Sequence, residues 1–270
     1  MNIHFLRSPK PRNAVLEALY SRLRESGFEV SESIPELGAP EVDLVPEFDL
    51  YVLKARGPLA VSVAAVLHRG GGRVVNDPAA CTTLLDKIVS TAMLRRSGLP
   101  APRTWAVTDA GALHTEAFAS RLPLVIKPYD GIHSRDLTLV RDRDTLASLR
   151  GWSSPMLVQE FIDGCHHRYK LHVVGERVFA TRKPFSLGGD PDDGVAIDPG
   201  EEMTTIARRC GRLFGLALYG LDVLVGRHGP VVVDVNSFPG YAGVRDAPEA
   251  LADFIAQTAR GRLQPTPTSR

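Results

Sequence analysis

Apolar positions in the first 75 residues switch between two periods. Ile3, Phe5 and Leu6 mark residues 3–7 as a strand. Across 13–26, Val15, Leu16, Leu19 and Leu23 recur at helical spacing, and Gly27 follows as a stop. Residues 28–31 and 50–53 are short strand-like runs, 59–67 is a helical run closed by Gly70-Gly71-Gly72, and 73–76 is another short strand. This alternation predicts a small parallel sheet with helical cover. No Gly-x-Gly-x-x-Gly follows the first strand, so a dinucleotide fingerprint is missing.

Beyond residue 80 the periods lengthen. Residues 82–96 read as one amphipathic helix with Leu84, Leu85, Ile88, Val89, Ala92 and Met93 on one face, ended by Gly98 and Pro100. Pro100-Ala101-Pro102 reads as an extended linker and a lobe boundary. Strands are predicted over 122–127, 137–140 and 156–162, and a hairpin over 168–184 turns at Gly175-Glu176. Residues 186–194 hold three glycines and three aspartates and predict a mobile loop. Met203, Ile206, Ala207, Cys210, Leu213 and Phe214 mark a helix, and Leu251, Phe254 and Ile255 a final one. Between them, two β-branched runs flank Gly226-Arg227-His228-Gly229 as a second hairpin. Residues 262–270 read as a disordered tail.

Charge and cysteine usage narrow the function classes. The formal net charge of +1 predicts neither a nucleic-acid nor a membrane partner, so any anion site must be local. Cys81, Cys165 and Cys210 lack Cys-x-x-Cys spacing, which argues against a disulfide framework or structural zinc and fits a reducing cytosol. The chain begins directly in a strand-like run without a signal pattern, and the most apolar stretch, 58–67, is too short to span a bilayer. A cytoplasmic protein is expected.

The second hairpin carries the most informative chemistry. With its turn near residue 228, Asp222 lies opposite Asp234, and Asn236 shares their face. Opposed carboxylates repel. A cation between them removes that cost, and two Asp with an Asn offer the hard oxygen ligands Mg²⁺ prefers. The alternative is a solvated face with two scattered acids. In the 168–184 hairpin, Arg168 opposes Lys183 and Lys170 opposes Thr181, so Arg168, Lys170, His172, Thr181 and Lys183 share a face, while Leu171, Val173, Val178 and Ala180 take the other. A bound polyanion would offset that crowding of cations, or the long side chains splay into solvent.

Two further lysines stand at suggestive places. Lys127 ends the apolar strand before a glycine-containing turn, where it is either a phosphate ligand or an ordinary surface lysine. Lys87 lies inside the 82–96 helix beside Asp86, where a helix-surface ion pair is the alternative. Residues 159–164, Gln-Glu-Phe-Ile-Asp-Gly, form a strand end whose backbone can pair with an adenine edge and whose carboxylate can meet a ribose. No Ser-His-Asp order, Walker A loop or metalloprotease helix occurs. His166 and His167 are adjacent and point to opposite faces of a strand, which makes them a poor metal pair.

These pieces, in this order, resemble the ATP-grasp superfamily over nearly the whole chain. Asn76-Asp77-Pro78 with Leu85-Asp86-Lys87, then Val125-Ile126-Lys127-Pro128-Tyr129-Asp130-Gly131, then Gln159-Glu160-Phe161-Ile162, and finally Gly220-Leu221-Asp222 with Asp234-Val235-Asn236 are similar to its nucleotide and magnesium elements. Two branches compete. Lys127-Pro128-Tyr129-Asp130-Gly131 resembles the ribosomal-protein glutamate ligase and glutathione synthetase type. Tyr169-Lys170 and Asp234-Val235-Asn236-Ser237-Phe238-Pro239-Gly240-Tyr241 look like the inositol trisphosphate kinases, although Asp130 stands where those have histidine.

The resemblance implies an α/β fold with a small N-terminal parallel α/β domain (1–76), a central lobe (77–158), a C-terminal lobe carrying the magnesium hairpin (159–262) and a tail (263–270). The two lobes would clasp ATP. It implies a carboxylate–amine ligase working through an acyl phosphate on small-molecule or peptide substrates, with a small-molecule kinase as the alternative. A nucleotide-binding scaffold without chemistry is a third reading, which the full Asp222, Asp234, Asn236 set and both lysines argue against. ATP would be held by Lys87, Lys127, Gln159, Glu160, Ile162 and Asp163. One or two Mg²⁺, or Mn²⁺, would sit on Asp222, Asp234 and Asn236. Arg168, Lys170 and Arg182 or Lys183 would stabilise the transferring phosphoryl group or a substrate carboxylate. The acceptor pocket would be built from N-terminal loops with residues 133–136 and 237–244, the 186–194 loop would close over the site, and a homodimer is the base-rate expectation.

Overall fold

The computed structural model describes residues 1–130, 137–152, 154–185 and 194–264. The chain opens with β1 (Asn2–Arg7), whose Ile3 and Phe5 are fully buried. Next comes α1 (Ala14–Glu25), started by Asn13, which accepts from the Leu16 amide at 3.0 Å. With β2 (Glu29–Ser33), β3 (Leu50–Lys54) and β4 (Val74–Val75), β1 forms a parallel sheet in the order β2-β1-β3-β4. α2 (Pro58–Arg69) covers it, as the alternating pattern predicts. The order reverses between β1 and β3, so a crevice opens at their carboxyl ends, where such sheets take ligands. Arg7 and Lys54 are register partners at that point.

The 82–96 expectation is corrected. Two helices replace one: α3 (Pro78–Leu85) and α4 (Lys87–Arg96), separated by Asp86. The Asp86 carboxylate accepts from the amides of Ile88 (2.8 Å) and Val89 (3.1 Å) and so caps a new helix instead of continuing the old one. The Lys87 amide bonds to the Tyr129 carbonyl at 3.0 Å. Apolar periodicity survives a clean cap, so the break was invisible to it.

A second, antiparallel sheet runs β5-β8-β6-β7, with β5 (Thr104–Val107), β6 (Leu124–Pro128), β7 (Thr138–Val140) and β8 (Met156–Glu160). β5 went unread because it is a four-residue edge strand with no buried position. Leu124, Ile126, Val140 and Val158 form this sheet's core on one face, joined by Phe118 of α5 (Glu116–Ala119) and Leu146 of α6 (Arg143–Ser148). Val125, Lys127, Leu157 and Gln159 therefore lie on the other. The expected segment 133–136 and most of the 186–194 loop, residues 186–193, lie outside the described residues, as does the tail from 265.

The third sheet, in the order β11-β10-β9-β12-β13, carries the chemistry. It is built from β9 (His167–Val174), β10 (Arg177–Pro184), β11 (Val195–Ile197), β12 (Leu218–Gly226) and β13 (Gly229–Ser237). α7 (Gly200–Phe214) packs Ile206, Ala207, Cys210 and Phe214 onto Leu171, Val173, Leu221 and Val223. It stops at Gly215, whose φ of +67° suits glycine. Leu84 and Leu94 join this core, so the paired helices α3 and α4 pack on the third sheet.

The last helix, α8 (Ala247–Ala259), returns to α1 and packs Leu251, Phe254 and Ile255 with Ile3, Phe5 and Leu19. Buried Asn76 joins the first sheet to the third. Its Oδ1 accepts from the amides of Ala217 (3.0 Å) and Leu218 (2.8 Å), and its Nδ2 donates to the Leu218 carbonyl (2.6 Å). Among the described residues no helix is long and apolar enough to cross a membrane.

Candidate active site

The register of the third sheet lines up one polar row. Thr181 pairs with Lys170, Lys170 with Asp222, and Asp222 with Asp234, across four strands. The sequence pattern places Asp222 opposite Asp234 by centring the turn near 228, and the structure reaches the same pair differently. Gly226 faces Gly229 and Val223 faces Val232, a register that alone would set Asp222 against Val233. A β-bulge absorbs Val233 and moves Asp234 into place.

Ion pairs hold the row together. Arg168 Nη2 lies 3.0 Å from Asp222 Oδ2, and Lys87 Nζ lies 3.4 Å from Asp234 Oδ2. Asn236 Nδ2 faces Asp222 Oδ2 at 3.5 Å. Burial works to raise the Asp222 carboxyl, but Lys170 and Arg168 hold it below the usual carboxylate value. Asp222 in turn raises Arg168. Lys87 thus serves this cluster across 147 residues of sequence rather than a local pair with Asp86. Lys127 Nζ donates to the Val233 carbonyl at 3.0 Å, and burial lowers its ammonium to about 8 against the pull of Asp234 and Asp222.

Not every expected residue joins this row. Arg182 pairs with Tyr169 and is exposed on the opposite face from Lys183, because successive strand residues alternate. Of the expected pair Arg182 or Lys183, only Lys183 shares the face of Arg168. The Gln159 side chain is committed to Thr104 Oγ1 at 3.0 Å, and the Glu160 amide to the Arg103 carbonyl. Ile162 and Asp163 lie against the tip of the second hairpin. A Cβ at Gly226 would meet Ile162 Cγ2 at 2.7 Å, and Asp163 pairs with Arg227 at 2.8 Å. That tip stands about 13 Å along β12 from Asp222, taking roughly 3.3 Å per residue.

A cavity of about 590 Å³ opens over the row and reaches the crevice between β1 and β3. Asp222, Asp234, Asn236, Arg168, Lys170 and Lys87 form one wall, and Arg7, Lys10, Lys54 and Arg56 stand opposite. The sequence reading missed this second wall, although each cation sits at or just after an apolar strand in a βαβ pattern. Arg7 pairs with Glu32 through Nε (2.7 Å) and Nη2 (2.9 Å), Tyr20 donates to the same carboxylate (2.8 Å), and Arg7 Nη1 donates to the Lys10 carbonyl (3.0 Å). This network fixes the loop that presents Lys10. Lys54 Nζ donates to the Phe238 carbonyl at 2.9 Å, and burial, reinforced by Arg56, Lys170, Lys10 and Arg7, lowers it to about 7.

Residues present fit a divalent cation. Asp222 Oδ1 is buried without a hydrogen-bond partner on the cavity wall, and Asp234 and the Asn236 carboxamide bring further oxygens to the same cavity. Among the described residues no three His, Cys, Asp or Glu cluster as a complete metal cage. Two carboxylates and an amide suit an ion that keeps water and phosphate oxygens in its remaining positions, as Mg²⁺ does.

The chain is similar to known proteins of one family. The family model of a RimK-like ATP-grasp domain matches residues 85–257. A probable alpha-L-glutamate ligase of Maridesulfovibrio salexigens is 32% identical over 212 residues, covering 69% of this chain and 68% of that protein. A second, from Shewanella denitrificans, is 27% identical over 238 residues, covering 80% of each. The fold matches the RimK domain ATP-grasp protein of Sphaerobacter thermophilus with a TM-score of 0.73 at 23% identity, over 94% of this chain and 99% of that one. D-alanine–D-alanine ligase from Bacillus anthracis matches with a TM-score of 0.68 at 18% identity, over 97% and 98%.

Proposed function

Because the chain belongs to the RimK-like ATP-grasp family and is an ATP-dependent carboxylate–amine ligase, we propose that it activates a substrate carboxylate as an acyl phosphate over the Asp222–Asp234 row. The carrying observation is the single 590 Å³ cavity that joins this row to the cations at the ends of β1 and β3. ATP lies with its phosphates on the row and its base toward residues 160–163, where the backbone of Glu160 and Ile162 meets the adenine edge and Asp163 the ribose. Gln159 contributes by bracing β8 through Thr104.

Asp222, Asp234 and Asn236 would hold one or two Mg²⁺, which supply charge neutralisation to the β- and γ-phosphates. Lys87 and Lys127 bind phosphate oxygens. Arg168 and Lys170 face the charge that develops as the phosphoryl group transfers, and they are already fixed by Asp222 and the sheet register. The substrate carboxylate attacks the γ-phosphorus and ADP leaves. The amine then attacks the acyl carbon, phosphate departs with the bonding pair, and the ammonium proton goes to solvent or phosphate. Lys10, Lys54 and Arg56 hold the acid in line for the first step.

This cationic wall fits an acidic substrate, and L-glutamate, named for the relatives, heads the panel to test. The experiment supplies Mg-ATP, amino acids and short peptides, with hydroxylamine as trap. Hydroxamate forming with ADP is expected. ADP with a stable phosphorylated product and no hydroxamate would mean that a hydroxyl, not a carboxylate, is phosphorylated.

A further inference from the structure

Arg56 follows β3 and belongs to the first sheet's crevice, yet its Nη1 donates to Asn236 Oδ1 on β13, 180 residues away. Both neighbours fix the carboxamide orientation. Its NH₂ group faces Asp222 Oδ2, and a reversed amide would set that NH₂ against the guanidinium. The oxygen that the proposed function assigns to the metal is therefore engaged by a cation from the opposite wall. Arg56 also lines both the 590 Å³ cavity and the smaller one formed with Cys81, Lys87 and Asp130. Lys10 and Lys54 line the larger cavity together with it.

We propose that Arg56 and the divalent cation compete for Asn236 Oδ1, and that the displaced guanidinium turns to bind the carboxylate of the acid substrate. The inference rests on reading Asp222, Asp234 and Asn236 as metal ligands. Two cations cannot share one amide oxygen without strong repulsion. Metal binding thus releases a carboxylate ligand into the acceptor half of the cavity. By linkage, an acid that draws Arg56 toward itself tightens the metal by the same factor. The metal–nucleotide and acid sites are coupled through one side chain.

The test titrates Mn²⁺ into the full chain with ADP present and reads bound Mn²⁺ by electron paramagnetic resonance. Arg56→Ala is expected to bind Mn²⁺ at least fivefold more tightly than wild type, and Arg56→Lys to fall between them. A purely structural role for Arg56 would weaken the metal instead. Asp234→Ala is the control and is expected to lose the Mn²⁺. Equal or weaker Mn²⁺ binding by Arg56→Ala, with Asp234→Ala still defective, overturns the competition and leaves the metal assignment standing. Wild-type Mn²⁺ binding in Asp234→Ala overturns the metal assignment, and the competition with it.

Discussion

Lys127 donates its ammonium to the carbonyl of Val233, the extra residue of the β-bulge that sets Asp234 opposite Asp222. One irregularity in β13 thus does two things. It shifts Asp234 into the row, and it turns a carbonyl toward the lysine that arrives from the second sheet. The contact ties the positions of the two sheets together where the phosphates are proposed to lie.

Replacing Lys127 by Met keeps its length and removes the charge. A charged hydrogen bond is worth about 1.5–3 kcal/mol, so kcat/KM for ATP is expected to fall roughly 10- to 150-fold. Steady-state kinetics at saturating acid substrate measure it. An unchanged ATP dependence would remove Lys127 from the phosphate site.

The two aspartates of the row are expected to behave differently. The Asp234 side chain is 26% exposed, whereas that of Asp222 is 6% exposed and paired with Arg168. Asp234→Ala should abolish turnover with a stability change below about 1 kcal/mol. Asp222→Ala should abolish turnover and also cost about 2–3 kcal/mol, because Arg168 loses the partner that offsets its desolvation. Urea midpoints for the two variants decide it, and equal midpoints would contradict the assignment of Asp222 as the buried anchor.

Lys54 gives the site a pH dependence. Burial is the main pressure on its charged form, and Arg56 beyond β3, Lys170 from β9, and Lys10 and Arg7 from the end of β1 add to it. Its folded value of about 7 lies below the ordinary 10.5. Between those values the unfolded chain holds a proton that the folded one has released, so this group's contribution to stability rises with pH across the window. Below about 7 both states are charged and the cost of burying the cation is felt in full. Binding an acid needs the charged form, so kcat/KM for the acid at saturating ATP should fall above pH 7. Arg stays charged, and Lys54→Arg should flatten that limb; the same decline in the variant would assign it elsewhere.

Asn76 is expected to matter for stability alone. Asn76→Ala strands the buried amides of Ala217 and Leu218 and should lower stability by about 2–4 kcal/mol. Calorimetry of the variant checks this. A Tm equal to wild type would mean that the first and third sheets are held together without it.

Much of the site was legible because strand alternation and ladder register are local rules. The faces of β9 and β10 and the pairing of Arg168 with Lys183 follow from period two and the position of one turn, whereas the pairing of Asp222 with Asp234 also needs the bulge at Val233. The helix break at Asp86 was not legible, since a cap changes direction without disturbing the apolar period. Nor was the edge strand β5, whose four residues set only Trp105 and Val107 against the core, too few to establish a period.

The sequence by itself determined which residues can share a face, because that depends only on spacing within one strand or one hairpin. It therefore determined the basic face of β9 and β10, whereas the pairing of Asp222 with Asp234 also needed the bulge at Val233, which no spacing shows. Tertiary structure alone decided which faces meet. Lys87 on Asp234, Lys127 on Val233, Arg56 on Asn236 and Lys54 on Phe238 span 147, 106, 180 and 184 residues, and no periodicity reaches across such separations. These contacts are fixed by how three sheets pack around the crevice between β1 and β3, and that packing is set by the summed burial of cores whose members come from both ends of the chain.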